Sequence, residues 1–423
     1  MATATYNVTT SSTDLANIWR KIQAGVVVAF QFGVEEWNWL QKLKKFDVDW
    51  SAREITVELD VNDDVGTAMI PEGGFEARPS SPTTATATLT WVLANKRFTI
   101  SKTAQYIQQK QGTRGQLESQ LRWQSKKAID GIRRKIGDMF YGFSTGTVAL
   151  AGPAAQSSGD CPITSLYGIS GLGSSTANRK ATDLFRVNDN VSFLNPSGPT
   201  IRASQFNAVS AVAASQISFA TVPGTITTAD LVVFSNNLEN TTLASGTERN
   251  QNLVGLLDGM TSASVHSLTT TTAPRWIAAT NNSAGGRFTT VKYQALKDAI
   301  YNNGGGELDM VIWSNGVKRD VVSQLTAGLR FTDAFALELD GKAGAKGVTF
   351  NTSRRVPDGY VFGLVKENSV NKMTLLPEPG QQVFEDGYKL QDNSGLVFSV
   401  DYPCAMIWTN RANTGLYSGL TES

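Results

Sequence analysis

The chain has 423 residues, a formal net charge of +1 and ionisable side chains at only 18% of positions, so it exceeds one small core and lacks the basic surface of a dedicated nucleic-acid binder. Two cysteines, Cys161 and Cys404, cannot build a disulfide framework and suit a reducing compartment. The opening segment lacks the basic and apolar regions of a secretion signal, and no apolar run reaches the roughly 18 residues of a membrane span, so the chain reads as soluble and intracellular.

In chain order, Ser12 or Thr13 caps a short helix with Leu15, Ile18, Trp19 and Ile22 on one side. Val26 to Phe30 reads as a strand. Glu35 to Phe46 is a second amphipathic stretch carrying Trp37, Leu40 and Leu43. None of these pieces can bury its own apolar side, so they form an arm lying on another surface, of the same chain or of a neighbour.

Glu54 to Val61 alternates, with Ile55, Val57, Leu59 and Val61 on one face. Thr84 to Ala94 alternates in the same way. The intervening Gly66, Pro71, Gly73, Gly74, Pro79 and Pro82 predict a long irregular tip. A two-stranded ribbon is at best marginally stable alone. It needs a second surface, and another copy of the chain is the obvious one.

Gln116 to Phe143 follows as a long amphipathic helix. Leu117, Leu121, Ala128, Ile132, Ile136, Met139 and Phe143 recur three or four apart, with Ser125 interrupting one step. Between Arg114 and Asp138 seven basic residues face three acidic ones. Ser144 to Lys180 is small and polar and reads as loop. Short strands are predicted at Val187–Leu194, Phe206–Val212, Gln216–Ala220 and Leu231–Phe234, a compact β insertion. Thr289 or Thr290 caps a helix through Ile300, Leu308–Trp313 is a buried strand, and Asn315 caps a helix carrying Val317, Val321 and Leu325. Late strands fall at Tyr360–Val365, Gly395–Val400 and Ala405–Thr409. The class is α+β.

Chemistry is hard to find. The only histidine, His266, lies in a Ser/Thr-rich stretch, whereas a nucleophile–histidine–acid site needs an ordered scaffold and an orienting carboxylate. One histidine and two cysteines cannot make a four-ligand zinc site. Asp60 to Asp64 resembles a calcium loop in charge alone, and no phosphate-binding glycine motif occurs. The expectation is no enzyme, no cofactor and no metal.

The order of these parts resembles the tailed-phage major capsid protein family, the Hong Kong 97-type shell fold shared with encapsulins. The match rests on the order of arm, hairpin, long helix and α/β region, together with Val356 to Val365, Asn368, Val370 and Asn410 to Gly415. It implies an N-terminal arm at 1–52, an extended β-hairpin loop at 53–100, and a peripheral domain with the spine helix at 101–180. A β-rich insertion at 181–240, a connecting segment at 241–288, an axial α/β domain at 289–356, and return strands of the axial and peripheral domains at 357–423 complete the chain.

The resemblance implies a coat protein that self-assembles as hexamers and pentamers around packaged double-stranded DNA. Assembly takes place in the host cytoplasm, and the product is the virion capsid. Separate scaffolding, portal and cement or decoration proteins are the implied partners, with non-specific DNA contact and no membrane. The expected inter-subunit contact residues are Met69, Ile70, Phe75, Arg78, Trp19 and Trp37; the expected spine core is Leu117, Leu121, Ile132 and Ile136. An encapsulin-like shell and, less closely, a β-rich fibre or surface protein are the alternatives. One departure matters: Ser51 to Asn95 contains no lysine, so the loop-lysine cross-link of the family's type member has no nucleophile there.

Overall fold

The computed structural model describes residues 36, 39, 54–62, 69–72, 74–75, 83–90, 92–101, 114–152, 159–169, 172–174, 177–197, 200–202, 207–221, 226–235, 253–281, 285–328, 348–365, 370–374, 383–389 and 395–422. Trp19, Trp37 and Arg78 lie outside them. In the expected arm only Glu36 and Trp39 are described, both helical and buried. The chain divides into two units, one of residues 1–41, 92–137 and 374–404, the other of 42–91, 138–373 and 405–423.

In the first unit, β3 (Val92–Ser101) and β17 (Val383–Lys389) flank β18 (Gly395–Trp408) in antiparallel pairing, the last four residues of β18 belonging to the second unit. Phe98 stacks on Phe398 with ring centroids 5.5 Å apart. Two strands were expected at Gly395–Val400 and Ala405–Thr409, but one runs through. The reason is β3, which pairs without a break from Gly395 opposite Ser101 to Cys404 opposite Val92.

Helix α1 (Arg114–Met139) contributes all but its last two residues to this unit. Gln124, Ala128, Ile132 and Ile136 are buried at four-residue steps, whereas Lys126 and Lys127 are exposed. Gln124 is a polar member of that buried row. The helix backbone also runs through Leu117 and Leu121. It stops at Met139 rather than Phe143, where the Gly142 N–H closes a turn on the Met139 carbonyl at 2.9 Å.

In the second unit, β1 (Glu54–Asn62) and β2 (Thr83–Thr90) form the expected ribbon, with Glu54 opposite Thr90 and Asp60 opposite Thr84. The second strand is shorter than its alternation predicted. It ends at Thr90, and the residues from Val92 onward pair with β18 instead.

Six strands close into a barrel in the order β4 (Ala149–Ala151), β5 (Asp160–Leu166), β8 (Gln216–Phe219), β7 (Asn207–Val212), β6 (Asn190–Leu194), β9 (Leu231–Phe234). The stretch 144–180, expected as loop, supplies two of them. Val191, Phe193, Val209, Ile217, Phe219 and Val232 are buried, with Phe193 edge-on to Phe219 at 5.9 Å. The two ends of this insertion meet. Leu256 N–H donates to the Phe140 carbonyl at 2.8 Å. Gly255 lies so close to Gly142 that a Cβ there would strike its backbone, which makes glycine obligatory at the junction.

After α2 (Leu256–Thr261) comes a minimal hairpin, β10 (Ser264–Val265) and β11 (Leu268–Thr269). A five-stranded mixed sheet follows, ordered β12 (Ala279–Asn281), β19 (Thr414–Tyr417), β15 (Val361–Leu364), β13 (Met310–Trp313), β14 (Thr349–Thr352). Helix α3 (Thr290–Gly304) starts as expected, with the Thr289 hydroxyl accepting from Lys292 N–H, and ends at Gly305 with φ of 72°. Leu296 and Ile300 of α3 join Phe288, Val311, Trp313, Val361 and Tyr417 in one core. The cap of α4 (Asn315–Gly328) is Ser314 rather than Asn315: its hydroxyl accepts from Val317 N–H at 3.2 Å. Strand β16 (Val370–Thr374) follows β15.

Candidate assembly surface and its anchor

The ribbon holds itself together along β1 and β2 but does not cover its own tip. Met69 and Phe75 are fully exposed and Ile70 is 44% exposed. Pro71, Glu72 and Gly74 between them are exposed as well. The Gly74 N–H bonds to the Pro71 carbonyl at 2.8 Å, so the tip is a shaped turn that presents its apolar side chains outward. Fully burying one side chain of this size is worth about 1.5–3 kcal/mol. The tip thus carries the largest uncompensated apolar exposure among the described residues, and it is the chemistry of a protein contact.

Near its other end the ribbon is pinned. Ala87 is fully buried. The next residue, Thr88, donates its N–H to the His266 carbonyl at 3.0 Å. His266 and Ser267 are the two turn residues of the β10–β11 hairpin, at φ of 54° and 64°. That geometry suits a two-residue hairpin, yet neither residue is glycine, and left-handed backbone costs roughly 1–2 kcal/mol per residue.

The turn is held by what surrounds the imidazole. His266 is buried, and its Nε2 accepts the Trp408 N–H at 3.0 Å. Burial, opposed by Asp258 and assisted by Arg411, pushes its pKa down to about 4, so the ring is neutral at pH 7. A neutral ring that accepts at Nε2 carries its proton on Nδ1. Trp276 adds a bond from its indole N–H to the Val265 carbonyl at 3.3 Å.

Arg411, 2% exposed, lies at the centre of this region. Its guanidinium donates to the carbonyls of Gly259 at 2.6 Å, Trp276 at 3.1 Å and Ser262 at 2.7 Å. Burial lowers its pKa to about 10 while Asp258 supports the charge, so it stays protonated at neutral pH. Asp258 in turn accepts Ser144 N–H at 2.8 Å and the Ser262 hydroxyl. Trp408 packs onto Gly259 so closely that any Cβ there would overlap its ring. A second charge cluster joins Arg355 to Asp138 at 2.8 Å and Arg179 to Asp138 at 3.6 Å.

Of the expected contact residues, Met69, Ile70 and Phe75 come together at the tip; Arg78, Trp19 and Trp37 lie outside the described residues. Of the expected spine residues, Ile132 and Ile136 are buried on one row of α1. Sequence reasoning missed Arg411. The available signal was a lone arginine between two asparagines, and both of those cap: Asn410 accepts Ala412 N–H at 3.0 Å, and Asn413 accepts Gly306 N–H at 3.0 Å. His266 is a backbone acceptor, and no group of three potential metal ligands occurs among the described residues. Cys161 is buried with its thiol pKa pushed up to about 12, which makes it a poor nucleophile. No described helix is long and apolar enough to cross a membrane.

No family model matches the sequence, and no curated protein does. Solved structures do. The chain is similar to a protein of the cyanophage A-1(L) capsid asymmetric unit, with TM-score 0.54 and 11% identity over 94% of this chain and 95% of that one. It also aligns with a capsid chain of the native GTA particle, at TM-score 0.48 and 9% identity over 94% of each. A chain of the holo-SrpI encapsulin complex from Synechococcus elongatus aligns over 39% of this chain and 56% of that one, at TM-score 0.27 and 12% identity. The chain has the capsid-protein fold of tailed phages.

Proposed function

We propose that this chain is the major coat protein of a tailed phage. It assembles as hexamers and pentamers into an icosahedral shell around double-stranded DNA, with its assembly in the host cytoplasm and its destination the virion. The observation that carries this reading is the pairing of the capsid-protein fold across 94% of the chain with an uncovered apolar tip on a ribbon that needs a second surface. The second surface is another copy, contacted by Met69, Ile70, Phe75 and Arg78, with Trp19 and Trp37 of the arm adding area. The exposed Lys126 and Lys127 suit a non-specific, salt-sensitive contact with phosphates. Scaffolding, portal and decoration proteins are separate partners, and the coat has no enzymatic role.

Electron microscopy of purified protein tests the reading. Closed shells that hold nuclease-protected DNA in infected cells support it. Shells filled with a protein cargo indicate an encapsulin-like compartment, and fibres indicate a surface protein. A chain that remains a monomer at high concentration contradicts assembly altogether.

A further inference from the structure

His266 occupies an unusual position, because its side chain and its backbone hold two different elements. The imidazole Nε2 accepts the Trp408 N–H of β18, and the carbonyl of the same residue accepts the Thr88 N–H of the ribbon. The residue between these bonds has left-handed backbone, which relaxes once its surroundings stop enforcing it. The ionised groups facing the ring are Asp258 of α2 and Arg411.

We propose that His266 is a proton-operated pin that couples the β1–β2 ribbon to the rest of its unit, so that protonation of its ring loosens the ribbon. With the ring neutral, Nδ1 holds the proton and Nε2 is free to accept. A proton added at Nε2 turns that acceptor into a donor aimed at the Trp408 N–H, two donors face to face, with the cationic Arg411 nearby. Asp258 attracts the new charge but is already engaged by Ser144 and Ser262. The ring must leave. The peptide that follows it then rotates, because the left-handed backbone at His266 has lost the anchor of its ring, and the carbonyl turns away from Thr88. The far end of the ribbon carries Met69, Ile70 and Phe75, so a loosened anchor changes how freely the tip reaches a partner. This inference concerns the chain itself and holds whether or not the proposed shell forms.

The pin shows itself as a pH dependence of ribbon motion. A fluorophore is attached at Glu72→Cys in the full chain carrying Cys404→Ser, with Cys161 buried. Its time-resolved anisotropy is followed from neutral pH down to about pH 3.5, around the ring's pKa of about 4. The chain has a single histidine, so a histidine-labelled sample reports one imidazole titration directly. The expected result is an increase in fast tip motion that superimposes on the imidazole curve while far-ultraviolet circular dichroism stays constant. His266→Gln, which keeps an acceptor but cannot titrate there, should leave tip motion flat over the same range. The proposal is overturned if the variant follows the wild-type curve, or if the imidazole titrates without a change in tip motion. It is equally overturned if tip motion rises only as circular dichroism is lost. Should the variant not fold, superposition of the two wild-type curves within about one pH unit decides the matter.

Discussion

The barrel and the ribbon are both built from short antiparallel strands, yet they end in opposite conditions. The barrel closes β4 against β9, so every strand has two neighbours and the apolar side chains of Val191, Phe193 and Ile217 vanish into its interior. Among the described residues the ribbon is two strands with no third, and its tip side chains remain in water. The physical difference is closure. Six strands of three to seven residues suffice when a sheet removes its own edges, whereas a longer pair does not suffice when it cannot. The barrel is complete within one chain; the proposed function has the ribbon completed by another.

The comparison can be broken most forcefully at Arg411, which ties α2 to the segment at Trp276. Arg411→Met leaves the carbonyls of Gly259, Trp276 and Ser262 without donors, at about 1–3 kcal/mol each. Denaturant unfolding should show a loss of at least about 3 kcal/mol, or the protein should be recovered insoluble. The barrel comes next. Phe193→Ala opens a cavity in a closed interior and should cost about 3–5 kcal/mol, seen as a lower denaturation midpoint and faster proteolysis within 149–234.

Acid should weaken the anchored end of the ribbon before it reaches the barrel. Burial holds the folded imidazole of His266 below its ordinary 6.5, at about 4. The stability contributed by the neutral ring is therefore fully present above pH 6.5 and is lost as pH falls through about 4. At about 1.4 kcal/mol per pH unit this amounts to roughly 3 kcal/mol, and His266→Gln should flatten that part of the stability curve. The smallest expected effect is none. Because the hairpin has no lysine from Ser51 to Asn95, boiled and reduced particles should run as one band near 45.5 kDa. A ladder of covalent multimers would show that Lys96 or Lys102 reaches a neighbour.

What could be read from the sequence follows from how locally each element is determined. The ribbon was legible because Ile55, Val57 and Leu59 repeat at two, and α1 because Ile132 and Ile136 repeat at four. Thr289 marked the start of α3 by its own chemistry. The end of β2 was not legible, since alternation runs on unbroken from Thr90 into Val92 while the pairing partner changes to residues some 300 positions later. Nor was β4: Ala149-Leu150-Ala151 has no pattern of its own and is a strand only because β5 and β9 flank it. At the candidate site, the exposed Met69, Ile70 and Phe75 could be named from sequence alone. The pin could not, because the bonds joining His266 to Thr88 and Trp408 connect segments distant in the chain.

The central claim, that the ribbon tip is finished by a second copy, is tested most directly by comparing wild type with Phe75→Asp in sedimentation velocity and electron microscopy. Phe75 is fully exposed, so the substitution should leave the unfolding midpoint of the subunit within about 0.5 kcal/mol of wild type. The account predicts closed shells from the wild-type chain and folded, unassembled subunits from the variant. Shells of equal yield from both would contradict it, as would a wild-type chain that sediments only as a monomer.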